Sequence, residues 1–106
     1  MPENEYSLIL TKQAETELNG ILDYIVDVFR AGITAEHTLD AVIKGVERLK
    51  TMPYSAPLMD EYEYQSLGIR RLVIKNYSVF YMVSDKKRRI EILHILHGIQ
   101  DYTQKL

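Results

Sequence analysis

Residues 69–97, IRRLVIKNYSVFYMVSDKKRRIEILHILH, leave a folding chain few choices. Runs of Val, Ile, Tyr and Phe are broken twice by short polar stretches, the pattern of strands joined by tight turns. The spacing predicts strands at Ile69–Lys75, Ser78–Ser84 and Arg89–Leu96. The turns fall at Lys75-Asn76-Tyr77 and Asp85-Lys86-Lys87-Arg88. Links this short join antiparallel neighbours, so the three strands form a meander. In the last strand, alternation groups Ile90, Ile92, His94 and Leu96 on one face and Glu91, Leu93, Ile95 and His97 on the other. Neither set is cleanly polar, which predicts a strand covered on both sides.

The earlier chain reads as the backing for this sheet. Glu5–Thr11 alternates as a short strand, and Thr11 can cap the helix that follows. Lys12–Arg30 carries apolar residues at Ala14, Leu18, Ile21, Leu22, Ile25, Val28 and Phe29, a helical stripe, and Gly32 follows as a stop. Thr34 then caps a second helix, Ala35 to Thr51, with the stripe Ala35, Leu39, Val42, Ile43, Val46 and Leu49. Gly45 inside it is expected to mark close packing on the first helix. Pro53 ends the second helix, and the short link makes the two an antiparallel hairpin. Met52–Gly68 reads as irregular, with Pro53 and Pro57 opposing a helix, and serves as a functional loop or as a tether. Gly98 ends the meander, and Ile99–Leu106 leaves it as a turn of helix or a mobile tail. The expectation is one domain, 1–106, of α+β class: β-α-α-β-β-β, with one curved sheet. The hairpin lies on one face, and the other face is left to a partner.

Composition removes several classes of function. With no cysteine there is neither a disulfide nor a thiolate metal site, which fits a reducing cytoplasm. The N-terminus lacks the basic flank and apolar run of a signal peptide. No stretch reaches the roughly 18 apolar residues of a membrane span. The net charge of −2 is unevenly spread: positions 1–64 hold five basic and twelve acidic residues, positions 65–106 eight and three. A sheet half of net +5 can receive phosphate or an acidic protein segment, or can simply balance helices of net −7.

No cofactor or metal is expected. His94 and His97 stand three apart on a strand and point to opposite faces, and His37 is remote on the second helix. No phosphate-binding glycine loop or nucleophile–base pair is present. What remains is Arg70, Arg71, Lys75, Tyr77, Tyr81, His94, His97, Gln100 and Tyr102, on or beside the sheet. RNA cleavage needs phosphate charge stabilised, which Arg can do, and protons moved, which His or Tyr can do. The plainer reading makes Tyr77 and Tyr81 cross-strand packing residues, His94 a half-buried spacer and Lys86–Arg89 a solvated turn. Arg70 and Arg71 alternate faces, so one can face a groove while the other pairs with an acid on the helices.

The ordered set of motifs resembles the RelE/ParE superfamily of bacterial type II toxins. The residues that carry the likeness are Ala14, Leu18, Ile21, Tyr24 and Ile25 in the first helix, and Leu49 to Pro53 at the end of the second. IRRLVIKNYSVFYMV followed by IEILHILH completes it and looks like the ParE branch. The resemblance implies a small toxin held by a cognate antitoxin that drapes an extended or helical segment across it. It also implies a target. RelE-like members cut messenger RNA on the ribosome; ParE-like members poison DNA gyrase. RelE-like enzymes typically have Arg after the Tyr that opens the middle strand, where this chain has Ser78 after Tyr77. They have basic residues after the last strand, where this chain has Gly98, Ile99 and Gln100. The expectation is therefore a gyrase poison, with Arg70, Arg71, Tyr77, Tyr81, His94, His97 and Gln100 as the contact surface. The alternative is a ribosome-dependent endoribonuclease using Arg71, His97, Lys75 and Tyr102. A third reading is an antitoxin-binding module without toxicity.

Overall fold

The computed structural model describes residues 5–30 and 36–97. The elements run β1 (Ser7–Leu10), α1 (Lys12–Arg30), α2 (Glu36–Arg48), α3 (Tyr62–Ser66), β2 (Arg70–Ile74), β3 (Tyr77–Ser84) and β4 (Arg89–His97). The architecture is the expected α+β one. The strands form one sheet in the order β1-β4-β3-β2. The meander is antiparallel, and β1 joins it parallel to β4, so the sheet is mixed. The expected Gly32 and Thr34 signals, and Gly98 with the tail after it, lie outside the described residues.

Thr11 caps α1 as its sequence predicts: its Oγ1 accepts the Ala14 N–H at 3.1 Å. The same hydroxyl donates to the Leu93 carbonyl at 3.0 Å, which ties the start of the helix to β4. The stripe of α1 reaches the core at Ala14, Leu18 and Ile21. In α2, Val42 and Leu49 are buried, but Ile43 is 50% exposed and turns outward from its expected stripe. α2 closes at Arg48 rather than Thr51, because the N–H groups of Leu49, Lys50 and Thr51 bond three residues back in a tightened last turn. Gly45 marks a close approach, but to β2 and not to α1. A Cβ there would run into Ile74 Cδ1.

Two cores lie on opposite faces of the sheet. Under the helices are Val79, Tyr81, Ile90, Ile92 and Ile95, with Ala14, Ile21, Val42 and Leu49. On the other face Phe80 and Leu96 pack with Met59 and Ile69, flanked by Tyr64, Met82 and Leu93. That second core corrects two expectations. The segment 52–68 contains a short helix, α3, because both prolines lie upstream of it and restrict nothing beyond their own turns. The segment also covers part of the face expected to be open. Gly68, at φ +78, supplies the left-handed residue that turns α3 into β2.

β4 does not keep one alternation throughout. Phe80 pairs with His94 but Tyr81 pairs with Ile92, so Leu93 is an extra residue in a bulge. Past it the phase flips. Ile95 joins Ile90 and Ile92 under the helices, and Leu96 moves to the opposite core.

Candidate functional site

β1 stops at Leu10, opposite Ile92, and beyond it Thr11 and Glu17 take the place of a strand along the edge of β4. The Thr11 N–H bonds the Ile92 carbonyl at 3.0 Å, and Thr11 Oγ1 takes the Leu93 carbonyl. Two turns along α1, Glu17 Oε1 accepts the Ile95 N–H at 3.0 Å. The same carboxylate receives Nδ1–H of His94 at 3.1 and 3.2 Å. Both side chains are nearly buried, at 12% and 10% exposure for His94 and Glu17. His94 is therefore tied into the α1–β4 junction.

The basic pair divides between the two faces of the sheet as expected. Arg71 shares a face with Phe80, lying 5.8 Å over its ring, and its Nε donates to buried Ser78 Oγ at 3.1 Å. Arg70, opposite Tyr81, meets no acid of the helices among the described residues. It donates to the Ala56 carbonyl at 2.7 Å and lies over the Tyr54 ring. Lys75 sits in the two-residue β2–β3 turn at φ 54, and Tyr77 opens β3 rather than belonging to that turn. Tyr81 is wholly buried, and its hydroxyl donates to the Pro53 carbonyl at 2.8 Å. Tyr77 is 4% exposed. The two tyrosines are packing residues, with little or nothing to offer a partner directly.

His97 lies on the helix side. Its ring is 5.0 Å from that of Tyr77 and 6.5 Å from that of exposed Tyr24. Together with Glu17, Gly20, Ile21 and Ile95 they line a cleft of about 320 Å³ between α1 and the end of β4. Burial, and after it the neighbouring Tyr24, pushes the Tyr77 phenol up. Arg71 and His97 therefore occupy opposite faces of the sheet. Tyr102 and Gln100 lie outside the described residues. No cluster of three or more potential metal ligands occurs among the described residues.

Sequence reasoning missed the α1 side of this cleft, although Glu17, Gly20 and Tyr24 fall at helical steps of three and four on one face. It also missed a polar cluster at the far end of the sheet. Asp85 accepts hydrogen bonds from Tyr6 at 2.7 Å and from Tyr54. Arg88 lies over the Tyr6 ring, so it is not merely part of a solvated turn. The bonds from Tyr54 and then Tyr6 hold the Asp85 carboxyl below its usual range, and Asp85 in turn pushes the Tyr54 phenol up to about 12. Tyr6 lies just before β1, Tyr54 in the segment after α2, and Asp85 and Arg88 in the β3–β4 turn, and no local pattern connects the four.

The geometry agrees with known folds. Superposition gives a TM-score of 0.65 to a chain of the chromosomal ParDE system of Pseudomonas aeruginosa, at 21% identity, covering 91% of this chain and 99% of that one. It gives 0.62 to a chain of the RelBE2 toxin–antitoxin complex of Mycobacterium tuberculosis, at 17% identity, covering 88% and 98%. A conserved hypothetical protein of Helicobacter pylori follows at 0.53 and 17% identity, covering 87% and 93%. No curated protein sequence matches the chain. Residues 8–102 match the family model of the ParE toxin of the type II toxin–antitoxin system parDE. With that match spanning nearly its whole length, the chain belongs to the ParE toxin family, within the RelE/ParE superfamily of type II toxins.

Proposed function

We propose that this toxin arrests growth in the cytoplasm by binding DNA gyrase, without cutting RNA, and that a cognate antitoxin neutralises it. The observation that carries the choice is the separation of Arg71 from His97. A nuclease needs its phosphate-stabilising cation and its proton-transfer group around one scissile phosphate. Here the guanidinium lies on Ser78 and Phe80, and the imidazole lies against Tyr77 on the other face. The match to the ParE family model supports the same choice.

The test is inducible expression with DNA and protein synthesis followed separately. Arrest of DNA synthesis first, with gyrase-linked breaks, is the expected result. Arg71→Ala and His97→Ala, at two residues of the expected contact surface, should each weaken toxicity only in part, where a nuclease would lose it outright. Translation stopping first, with messages cut within codons and both variants inactive, would establish the endoribonuclease reading instead. Growth untouched by the wild-type chain would leave the non-toxic antitoxin-binding module.

A further inference from the structure

We infer that the β3–β4 turn, with Arg89 behind it, is a contact for the phosphate backbone of duplex DNA, so that the toxin grips the DNA its target holds as well as the target. The inference deepens the gyrase reading above and rests on it for the choice of DNA among polyanions.

Four of the eight basic residues of positions 65–106 stand together as Lys86, Lys87, Arg88 and Arg89. The first three are exposed and Arg89 is half-buried. Among the described residues Lys86, Lys87 and Arg89 enter no ion pair. Two carboxylates lie near. Asp85 is engaged by the Tyr6 and Tyr54 hydroxyls, and Glu91 lines a hollow of about 120 Å³ with Lys87 and Arg89 without bonding either. The local count is four cations against two carboxylates. Salt screens charges beyond about 8 Å, so this local excess, and not the net charge of −2, sets what the turn attracts.

The turn is also braced, which a solvated charge run does not require. The Arg88 N–H bonds the Asp85 carbonyl at 3.2 Å, and the Lys87 N–H reaches Ser84 Oγ at 3.3 Å. The start of β1 clamps it from the side: the N–H and hydroxyl of Ser7 both donate to the Arg88 carbonyl, at 3.0 and 3.4 Å. Arg88 takes φ 48, a left-handed conformation that hairpin turns ordinarily give to Gly or Asn. An arginine kept in that conformation points to a use for its side chain. Its guanidinium is steadied 5.0 Å over the Tyr6 ring. Cations held on a braced turn have little freedom left to lose when a ligand arrives.

The chemistry of the patch selects the occupant. Asp85–Arg89 contains no apolar residue, so it gives an acidic protein segment no floor to bury and a bilayer nothing to take in. It gives instead a row of N–H donors about 10 Å long on an exposed hairpin end. One strand of a DNA duplex places a phosphate every 3.4 Å or so along the axis, so about three fall within that reach. Contacts of this kind position a protein without reading sequence. Eight steps along β4 put the turn about 25 Å from His97, so DNA here leaves the cleft between α1 and β4 clear.

The experiment uses the full chain, a short labelled DNA duplex, and purified gyrase with and without DNA. Binding to the duplex should fall with salt at a slope of about −3 in log K against log salt. Lys86→Ala with Lys87→Ala should flatten that slope by about 2 and weaken binding about tenfold. Arg88→Gly suits the left-handed backbone, so it should keep the melting temperature and weaken duplex binding about fivefold. The wild-type chain should bind gyrase carrying DNA about tenfold more tightly than gyrase alone, and the double variant should lose that preference while binding gyrase alone as before. Duplex binding that is unchanged in all the variants, with gyrase bound equally in both states, overturns the DNA contact and keeps the gyrase reading. An RNA duplex of the same length bound more tightly than the DNA overturns the choice of polyanion. Absence of binding to gyrase in either state refutes the gyrase reading, while the duplex titration and its variants judge the turn separately.

Discussion

Glu17 performs two tasks with one carboxylate, and removing it should be among the most damaging changes available outside the aliphatic core. Glu17→Ala strands the Ile95 N–H at a nearly closed edge, a loss of about 1–3 kcal/mol. It also removes the charge-assisted bond from His94, about 1.5–3 kcal/mol when taken alone. The two losses overlap, since a freed imidazole can turn toward water, so about 3 kcal/mol is the expected total. Unfolding entropy of about 2.1 cal mol−1 K−1 per residue makes that a fall of roughly 13 °C in Tm. Glu17→Gln keeps an oxygen for Ile95 and should lose only about 1 kcal/mol. Urea denaturation at fixed pH measures both, and a double-mutant cycle with His94→Ala isolates the side-chain pair, with an expected coupling of about 1–2 kcal/mol. A Glu17→Ala loss below about 0.5 kcal/mol, or a Gln variant as damaged as the Ala one, would refute the claim that this carboxylate stands in for a missing strand.

Asp85 titrates from a folded-state value below its ordinary one, so its contribution is present above the ordinary carboxylate range and is lost as pH falls through the depressed value. Acid unfolding of the native chain should therefore contain a component that Asp85→Asn lacks, read from parallel pH titrations of Tm. The Tyr54 phenol should ionise near pH 12 in a tyrosinate absorbance titration, and Asp85→Asn should bring it back toward 10. Gly45→Ala gains about 1 kcal/mol of helix propensity but drives a methyl into Ile74, so a net loss of about 1 kcal/mol is expected. Adding Ile74→Val removes the clashing Cδ1 and should return much of that loss in the same urea assay. Tyr81→Phe leaves the Pro53 carbonyl unanswered in the core and should lower stability by about 1–2 kcal/mol.

What the sequence disclosed and what it withheld follow from range. The core-facing residues of α1 at Ala14, Leu18 and Ile21, the runs of the meander and the Thr11 cap are encoded within a few positions and appear where their patterns lie, whereas Ile43 leaves its expected stripe and Tyr77 opens β3 instead of closing the turn. The phase of β4 is not local. Strict alternation from Ile90 sends Ile95 away from the helices, and only the tie from Glu17, 78 residues earlier, makes room for the bulge that brings it back. The same limit explains Gly45. A glycine in a helix announces a close approach but cannot say to what, and the neighbour proved to be Ile74, 29 positions on. For the site, the residue types were legible and their convergence was not. Arg71 and His97 look like partners in a list, since both flank a basic, histidine-ended meander. Strand parity alone cannot separate them, because the inserted Leu93 resets the parity between one and the other. The distance between a plausible nuclease set and a binding surface is therefore that one residue. A chain of this family whose last strand ran without the bulge would carry its closing histidine on the opposite face, toward the guanidinium of the paired arginine.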